Sequence, residues 1–141
     1  MTPTELALAT VRAVFETFDE NAAAALLHPD YIQHNSSIPT GAAGLLGLLP
    51  AANESGLAVE THRVIAEGDV VVLHNTFTNA RLFGSDTLVS FDVFRVDGGQ
   101  VVEHWDNLQA PPAFTASGRS MTDGPTTPVD LHLTADNKAL V

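Results

Sequence analysis

The sequence predicts an α+β domain in which helices pack on one face of a curved antiparallel sheet. Apolar residues recur with helical spacing in the N-terminal part of the chain. After Gly56 they alternate as in β-strands, and two short glycine-containing segments there have the composition of hairpin turns. Helices gathered before a run of antiparallel strands are typical of α+β domains. At 141 residues with 45% apolar content, the chain can form one domain with one core.

Three helices are predicted in the N-terminal part. The second runs from Asn21 to Leu27 and ends before Pro29, because the residue preceding a proline disfavours helical backbone. The third runs from Thr40 or Gly41 to Ser55, and glycines loosen its middle. The first runs from Thr4 to Phe18, because one face collects apolar side chains at three- and four-residue spacing: Leu8, Val11, Val14, Phe15 and Phe18.

Four strands are predicted after the helices, over residues 58–66, 70–78, 86–96 and 100–108. The first pair flanks Glu67-Gly68-Asp69 and the second pair flanks Asp97-Gly98-Gly99, which is the stronger turn signal.

From Ala110 the chain is rich in proline, serine, threonine and glycine. We therefore predict one domain over residues 1–125 and a C-terminal tail over residues 126–141. The last residues, from Thr134, are interpreted either as a short docking helix or as the stub of a lost repeat.

The composition excludes several classes of function. With 17 acidic and 6 basic residues the formal net charge is −11, so a nucleic acid would be repelled. No apolar run is long enough to cross a membrane, and the N-terminus lacks the pattern of a signal peptide, so we expect a cytoplasmic protein. The absence of cysteine excludes disulfides, thiolate metal sites and cysteine nucleophiles. The six histidines equal the lysines and arginines in number and point to imidazole chemistry.

The second hairpin brings three candidate site residues to one face of the sheet. If Asp97-Gly98-Gly99 forms a three-residue loop, Asp92 lies directly opposite His104. Opposite residues share a face, so Asp92, His104 and Asp106 would line one face and Trp105 the other. A two-residue loop would shift the pairing and separate Asp92 from His104, so this inference depends on one residue of register.

The first hairpin brings two more histidines together, and the face of the sheet on which they lie has to be decided. With Glu67-Gly68-Asp69 as its loop, His62 lies opposite His74. The pair could line the pocket, or it could lie on a solvent or dimer face. We favour the second interpretation for His62 because it lies near the start of a strand, and both interpretations stay open for His74.

Three segments carry a family resemblance: Tyr31-Ile-Gln-His-Asn35, the hairpin of Phe91–Val96 and Val101–Asp106, and Ser117–Pro125 in the tail. They resemble the SnoaL-like polyketide cyclases of the nuclear transport factor 2-like superfamily, over about residues 4 to 125. The resemblance implies a cone-shaped half-barrel with the three helices on the concave face of the sheet. It does not decide the reaction, because this scaffold hosts cyclases, isomerases, dehydratases, epoxide hydrolases and pure binders.

The resemblance also implies roles for individual residues. His34 takes the position of the general base in the isomerase branch. Asp92 matches an aspartate that donates a hydrogen bond to an oxyanion there, and that serves as the acid/base residue in the cyclases. His104 would orient Asp92 or relay protons. We expect the substrate to be positioned by Tyr31, Asn35, His74, Phe94 and Asp106.

The leading functional hypothesis is an acid/base enzyme without a cofactor that acts on a hydrophobic carbonyl compound. Enolisation would lead to aldol-type cyclisation, isomerisation or dehydration. The alternatives are epoxide-hydrolase-type hydrolysis in the same pocket and non-catalytic binding of a small molecule. We predict no metal, since the chain has no HExxH or HxH spacing, although histidines converging with an aspartate would also suit zinc, iron or manganese.

The expected partners are a small hydrophobic molecule and a second copy of the chain. Trp105 and Phe77 are placed on the convex face of the sheet by the predicted register. Large apolar side chains there would form an exposed patch unless a partner covered it. We therefore predict a homodimer through this face, and no binding to nucleic acid or membrane.

Overall fold

The computed structural model describes all 141 residues and confirms the α+β fold. Five strands form one curved, open sheet in the order β1-β5-β4-β3-β2. The helices are α1 (Pro3–Phe15), α2 (Glu20–Leu26), α3 (Ala42–Leu46), α4 (Leu49–Ser55) and α5 (Thr134–Lys138). The strands are β1 (Leu27–Gln33), β2 (Ala58–Glu67), β3 (Val70–Thr78), β4 (Thr87–Asp97) and β5 (Gln100–Gln109). The four predicted strands correspond to β2–β5.

Helix α1 packs across the concave face and supplies much of the core. It begins with a capping box in which the Thr2 hydroxyl accepts from the Glu5 backbone N–H while the Glu5 carboxylate accepts from the Thr2 backbone N–H. The predicted helix is too long, because Phe18 lies beyond its end with a φ of 51°. Leu8 is 37% exposed and does not belong to the buried face. The buried face consists of Leu6, Ala7, Thr10, Val11, Ala13 and Val14.

The third predicted helix is two short helices, α3 and α4, separated at Gly47 and Leu48. Pro50 lies in the first turn of α4, where a missing N–H is tolerated. Gly44 is required by packing, since a Cβ atom there would lie 2.0 Å from the carbonyl oxygen of Pro39. The glycine therefore lets α3 lie against the loop that follows β1.

Strand β1 was not predicted, and it shapes the site. It follows α2 directly and runs parallel to β5 at the edge of the sheet, with Gln33 beside His104. Pro29 is accommodated because β1 is an edge strand with an irregular register between Leu27 and Ile32. No strand was predicted here, because the segment contains Pro29 and its partner strand β5 lies about 70 residues further along the chain.

Both hairpins have two-residue turns rather than the predicted three-residue loops. In the second, Asp97 pairs with Gln100 across Gly98-Gly99, both of which have positive φ. One extra residue, Val102, then forms a bulge, so that Asp92 pairs with Asp106 instead of His104. The predicted partner was wrong, but the bulge restores the alternation. Asp92, His104 and Asp106 therefore share the concave face.

The first hairpin shows the same combination of turn and bulge. Glu67 pairs with Val70, and the extra residue on β2 is His62. Arg63, not His62, therefore lies opposite His74. The predicted pairing of the two histidines is wrong.

The part of the chain that follows β5 lies against β2 through two side chains. Arg63 donates hydrogen bonds of 2.8–3.1 Å to four successive carbonyls, those of residues 122–125. Lys138 in α5 pairs with Glu67 at the end of β2. No helix in the structure combines the length and apolar character needed to span a membrane.

We predict that Gly44→Ala destabilises the fold by about 1–3 kcal/mol, because the added methyl group overpacks against the Pro39 backbone. Urea unfolding followed by circular dichroism measures the change. Gly47→Ala is the matched control: its Cβ would lie 3.3 Å from a carbonyl oxygen of the preceding turn, and we expect a change of less than about 1 kcal/mol. Equal effects of the two substitutions would contradict the packing argument.

Candidate functional site

An apolar cavity with one polar wall lies between α1 and the concave face of the sheet. The space between its walls, counted out into the solvent at its open mouth, is about 480 Å³. Its apolar lining includes Val11, Val14, Phe15, Ile38, Leu45, Phe77, Phe83, Phe94 and Leu108. Its polar lining is Thr10, Tyr31, Gln33, Asn35, Asp92, His104 and Asp106, and no lysine or arginine lines it. Such a cavity, with a few convergent polar groups, suits a small and largely apolar molecule.

A buried aspartate–histidine pair forms the centre of the polar wall. Asp92 is 4% exposed and His104 is 7% exposed, and Asp92 Oδ1 lies 3.2 Å from His104 Nε2. The other oxygen, Asp92 Oδ2, accepts from the amide of Asn75 at 2.8 Å and from the hydroxyl of Ser90. Every oxygen of the Asp92 carboxyl group is therefore engaged.

The directions of the surrounding hydrogen bonds determine the position of a proton in this pair. Gln33 Oε1 accepts from the backbone N–H of Asn35 at 3.1 Å, so this atom must be an oxygen. His104 Nδ1 lies 3.0 Å from the same oxygen and must therefore donate to it. His104 Nε2 then faces an oxygen of Asp92, and a proton must lie between these two atoms. Asp92 and His104 therefore share one proton.

Tyr31 presents a free hydrogen-bond donor to the cavity. Its hydroxyl oxygen accepts from Gln33 Nε2 at 2.9 Å, and its own proton has no acceptor in the protein. Burial raises the pKa of Tyr31, and the negative charges of Asp106 and Asp92 raise it further. The phenol therefore stays protonated and can donate to a carbonyl oxygen.

Asp106 presents a free acceptor to the same cavity. Asn35 Oδ1 accepts from the Ser37 backbone N–H at 2.9 Å, which orients its amide group toward Asp106. Asn35 Nδ2 donates to Asp106 Oδ2 at 2.8 Å. The remaining oxygen, Asp106 Oδ1, has no hydrogen bond from the protein and can accept a proton from a substrate.

His34 lies on the outer face of the sheet, so the expectation that it shares the cavity with Asp92 is wrong. Its ring stacks on Trp105 with centroids 4.8 Å apart and an angle of 3°. Its Nε2 lies 2.8 Å from Glu103, whose pKa is lowered by this contact and by Arg95. The cause is the alternation along β1, which directs Tyr31 and Gln33 inward and the next residue outward.

His74 also lies on the outer face, contrary to its expected role in substrate binding. Its ring stacks on Phe91 at 4.4 Å, and its Nδ1 accepts from Arg63 Nη1 at 3.1 Å. His62 lies nearby, with ring centroids 5.7 Å apart. Burial lowers the pKa of His74, and the charges of Arg63 and His62 lower it further.

Phe77 is another residue that the predicted register placed wrongly. It is 3% exposed and lines the cavity instead of the convex face. The same alternation explains this position: Phe77 is three residues from His74 on β3, so the two side chains point to opposite faces of the sheet. Phe94, in contrast, lines the cavity as expected.

Three site residues were missed by the sequence analysis: Gln33, Asn75 and Ser90. A signal existed for Gln33, because it lies two residues after Tyr31 and would share its face if the segment were read as a strand. Asn75 and Ser90 are polar residues inside apolar strands, and they form a cross-strand pair next to Asp92. Buried polar residues of this kind usually have hydrogen-bond partners, which could have directed attention to them.

Comparison with known proteins identifies the scaffold. The model of the SnoaL-like domain family matches residues 8–104. None of the curated proteins compared with this chain matches it.

Solved structures with the same fold are numerous. IdmH from Streptomyces antibioticus, a proposed polyketide cyclase, is 19% identical with a TM-score of 0.62, and the match covers 77% of this chain and 92% of IdmH. AclR from Streptomyces galilaeus, a proposed hydroxylase, is 23% identical with a TM-score of 0.61 (76% and 88% covered). A cystatin-fold protein from Novosphingobium aromaticivorans is 18% identical with a TM-score of 0.65 (76% and 98% covered). At these identities the likeness shows the fold.

We predict that His74→Gln reduces the loss of stability in weak acid. The folded protein disfavours protonated His74, whereas the unfolded chain takes up a proton near the ordinary pKa of 6.5. The stability contributed by neutral His74 is therefore complete above about pH 6.5 and is lost as the pH falls through the lowered folded pKa. Glutamine keeps an acceptor for Arg63 without titrating.

The measurement is the melting temperature of wild type and variant at pH 7.5 and 5.5. We expect a smaller difference between the two pH values for His74→Gln. His132→Gln, which changes an exposed histidine in the tail, should behave like wild type. The same pH difference in all three proteins would show that His74 does not contribute.

Proposed function

The chain belongs to the SnoaL-like domain family, and from this membership and its cavity we propose that it is an acid/base enzyme acting on a hydrophobic carbonyl compound. The observation that carries the proposal is the buried, hydrogen-bonded pair of His104 and Asp92 at the wall of an apolar cavity. Beside it lie a free donor, the Tyr31 hydroxyl, and a free acceptor, Asp106 Oδ1. The set needs no cofactor for proton transfer.

The role that we propose for each polar group follows from the hydrogen bonds that it makes, or leaves unmade, within the protein. Asp106 is the base, because Oδ1 is the one carboxylate oxygen of the cluster that no protein donor engages. The Asp92–His104 pair is the acid. Tyr31 donates a hydrogen bond to the oxygen on which negative charge develops. The base role that the sequence analysis gave to His34 passes to Asp106 in this proposal.

The proposed first step is enolisation. Asp106 Oδ1 removes a proton from the carbon next to the substrate carbonyl, and the bonding electrons move into an enolate whose oxygen is stabilised by Tyr31. The Asp92–His104 pair can give its proton to that oxygen and recover it later. The enol carbon can then attack a second carbonyl, which gives cyclisation, or the enol can take up a proton at another carbon, which gives isomerisation. Where the substrate carries a hydroxyl group on the β-carbon, the enolate electrons form a carbon–carbon double bond as that C–O bond breaks, and the hydroxyl group leaves as water with the proton of the Asp92–His104 pair, which gives dehydration.

The apolar lining supports a hydrophobic substrate. Phe15, Phe77, Phe83 and Phe94 all line the cavity, and they offer flat apolar surfaces for a ring or a conjugated chain. IdmH, which shares the fold, is a proposed polyketide cyclase, and polyketides combine carbonyl groups with such carbon skeletons. We therefore propose poly-carbonyl compounds as the substrate class.

We predict that Asp106→Asn lowers kcat by about 10²–10⁴-fold, the usual effect of losing a general base. Tyr31→Phe should lower kcat by about 10²–10³-fold, because one donor to the developing oxyanion is lost. His34→Ala is the matched control on the outer face and should retain the wild-type rate. The measurement is turnover of a panel of cyclic ketones and poly-ketones, with folding verified by circular dichroism.

Different outcomes separate the alternatives. Loss of turnover in His34→Ala with full activity in Asp106→Asn would contradict the assignment of the base. Turnover of epoxides but not of ketones would indicate the hydrolytic alternative. Tight binding of panel members without turnover of any would indicate a binding protein.

We also propose that the outer face of the sheet forms a homodimer. The stacked His34 and Trp105 lie on this face, and so does Phe91, which stacks on His74 and is 50% exposed. Exposed and partly exposed aromatic groups on one face favour association with a matching surface, and two-fold contacts are the commonest kind.

We predict that Trp105→Asp converts the dimer to a monomer, since a carboxylate would be buried without a partner in the interface. Sedimentation velocity at micromolar concentration gives the result. Phe114→Asp is the control, because Phe114 is 83% exposed and follows the end of β5 outside any strand. A wild-type protein that sediments as a monomer would overturn the proposal.

A further inference from the structure

We propose that Asp92, His104 and Asp106 form a binding site for one divalent transition-metal ion of the zinc or manganese kind. One ligand atom from each side chain lies within 4.8 Å of the other two. Asp92 and Asp106 are a direct cross-strand pair, and His104 is two residues from Asp106 on the same face of β5. The inference concerns the same side chains as the proposed reaction but does not depend on it.

Each proposed ligand is oriented by a hydrogen bond on its far atom. His104 Nδ1 donates to Gln33 Oε1, which directs Nε2 into the cluster. Asp92 Oδ2 accepts from Asn75, and Asp106 Oδ2 accepts from Asn35. This leaves Asp92 Oδ1 beside His104 Nε2 and leaves Asp106 Oδ1 without a protein donor. Outer hydrogen bonds of this kind are typical of metal ligands, where they set the tautomer and orientation.

The charge of the cluster favours a cation. Two carboxylates and one imidazole face a largely apolar cavity, and neither lysine nor arginine lines it. Asp92 and His104 are more than nine-tenths buried, so water compensates their charge poorly. Carboxylate and imidazole together suit zinc, manganese and iron.

The dimensions permit coordination after small side-chain movements. In a tetrahedral site, ligand atoms that each lie about 2.1 Å from the ion are about 3.4 Å from one another. The three atoms here lie within 4.8 Å of one another, so the widest pair must approach by at most about 1.4 Å. Three protein ligands leave at least one position open toward the cavity, as in sites that bind a water or a substrate oxygen.

Metal binding would regulate the proposed chemistry. The ion would engage Asp106 Oδ1, the proposed base, and would replace the proton between Asp92 and His104. Proton transfer and metal binding are therefore alternative states of one site, and the metal-loaded protein should be inactive in the proton-transfer reaction.

The test uses full-length protein treated with a chelator and then dialysed. Calorimetric titration with Zn²⁺ and Mn²⁺ should give one site per chain. Co²⁺ should produce a visible absorption band that Zn²⁺ abolishes. Asp106→Asn, which changes a partly exposed group without altering its size, should weaken binding at least tenfold. His34→Ala removes a histidine on the outer face and should bind like wild type.

The proposal is overturned if wild-type protein binds none of these ions, if Asp106→Asn binds as tightly as wild type, or if His34→Ala abolishes binding. A melting curve of each metal-free variant separates loss of the site from loss of the fold. Turnover by chelated protein without any metal binding would reject this inference and leave the proposed function intact. Metal binding without turnover of any substrate would support the inference while the proposed function fails.

Discussion

The alternation of side chains between the two faces of each strand is the constraint on which the site depends. It directs Gln33 on β1, Asp92 on β4, and His104 and Asp106 on β5 into one cavity. The two-residue turn between β4 and β5 would by itself have reversed this alternation, and the bulge at Val102 restores it. One extra residue in β5 therefore decides whether the buried histidine meets the aspartate or faces the outside.

The polar wall of the cavity combines buried side chains that are held by hydrogen bonds with two side chains that each keep one unused hydrogen-bonding position. Gln33 orients His104, and Asn75 with Ser90 holds Asp92, so the buried groups satisfy one another's hydrogen bonds. A buried polar group without such partners would destabilise the fold by about 1–3 kcal/mol. The proton of Tyr31 and one oxygen of Asp106 have no partner in the protein. Two of the groups to which we assign roles in the proposed reaction are therefore those with an unused hydrogen-bonding position.

The outer face of the sheet uses histidine for packing. His34 stacks on an aromatic ring and contacts a carboxylate, and His74 stacks on a second ring beside Arg63. Arg63 in turn holds the tail through successive carbonyl groups. Histidine therefore pairs with a buried aspartate on the concave face of the sheet and packs against aromatic rings on the outer face. Chain position alone does not distinguish these two uses.

The sequence by itself determined the α+β class, the limits of β2–β5 to within a residue, and the shared face of His104 and Asp106, which are two residues apart on one strand. These features follow from local periodicity and turn composition, which are written in consecutive residues. The tertiary structure decided the rest. Strand β1 forms only because β5 lies beside it, and that pairing directs His34 outward and Gln33 inward. The bulges at His62 and Val102 depend on how neighbouring strands twist and pair, and no local pattern marks an extra residue of this kind.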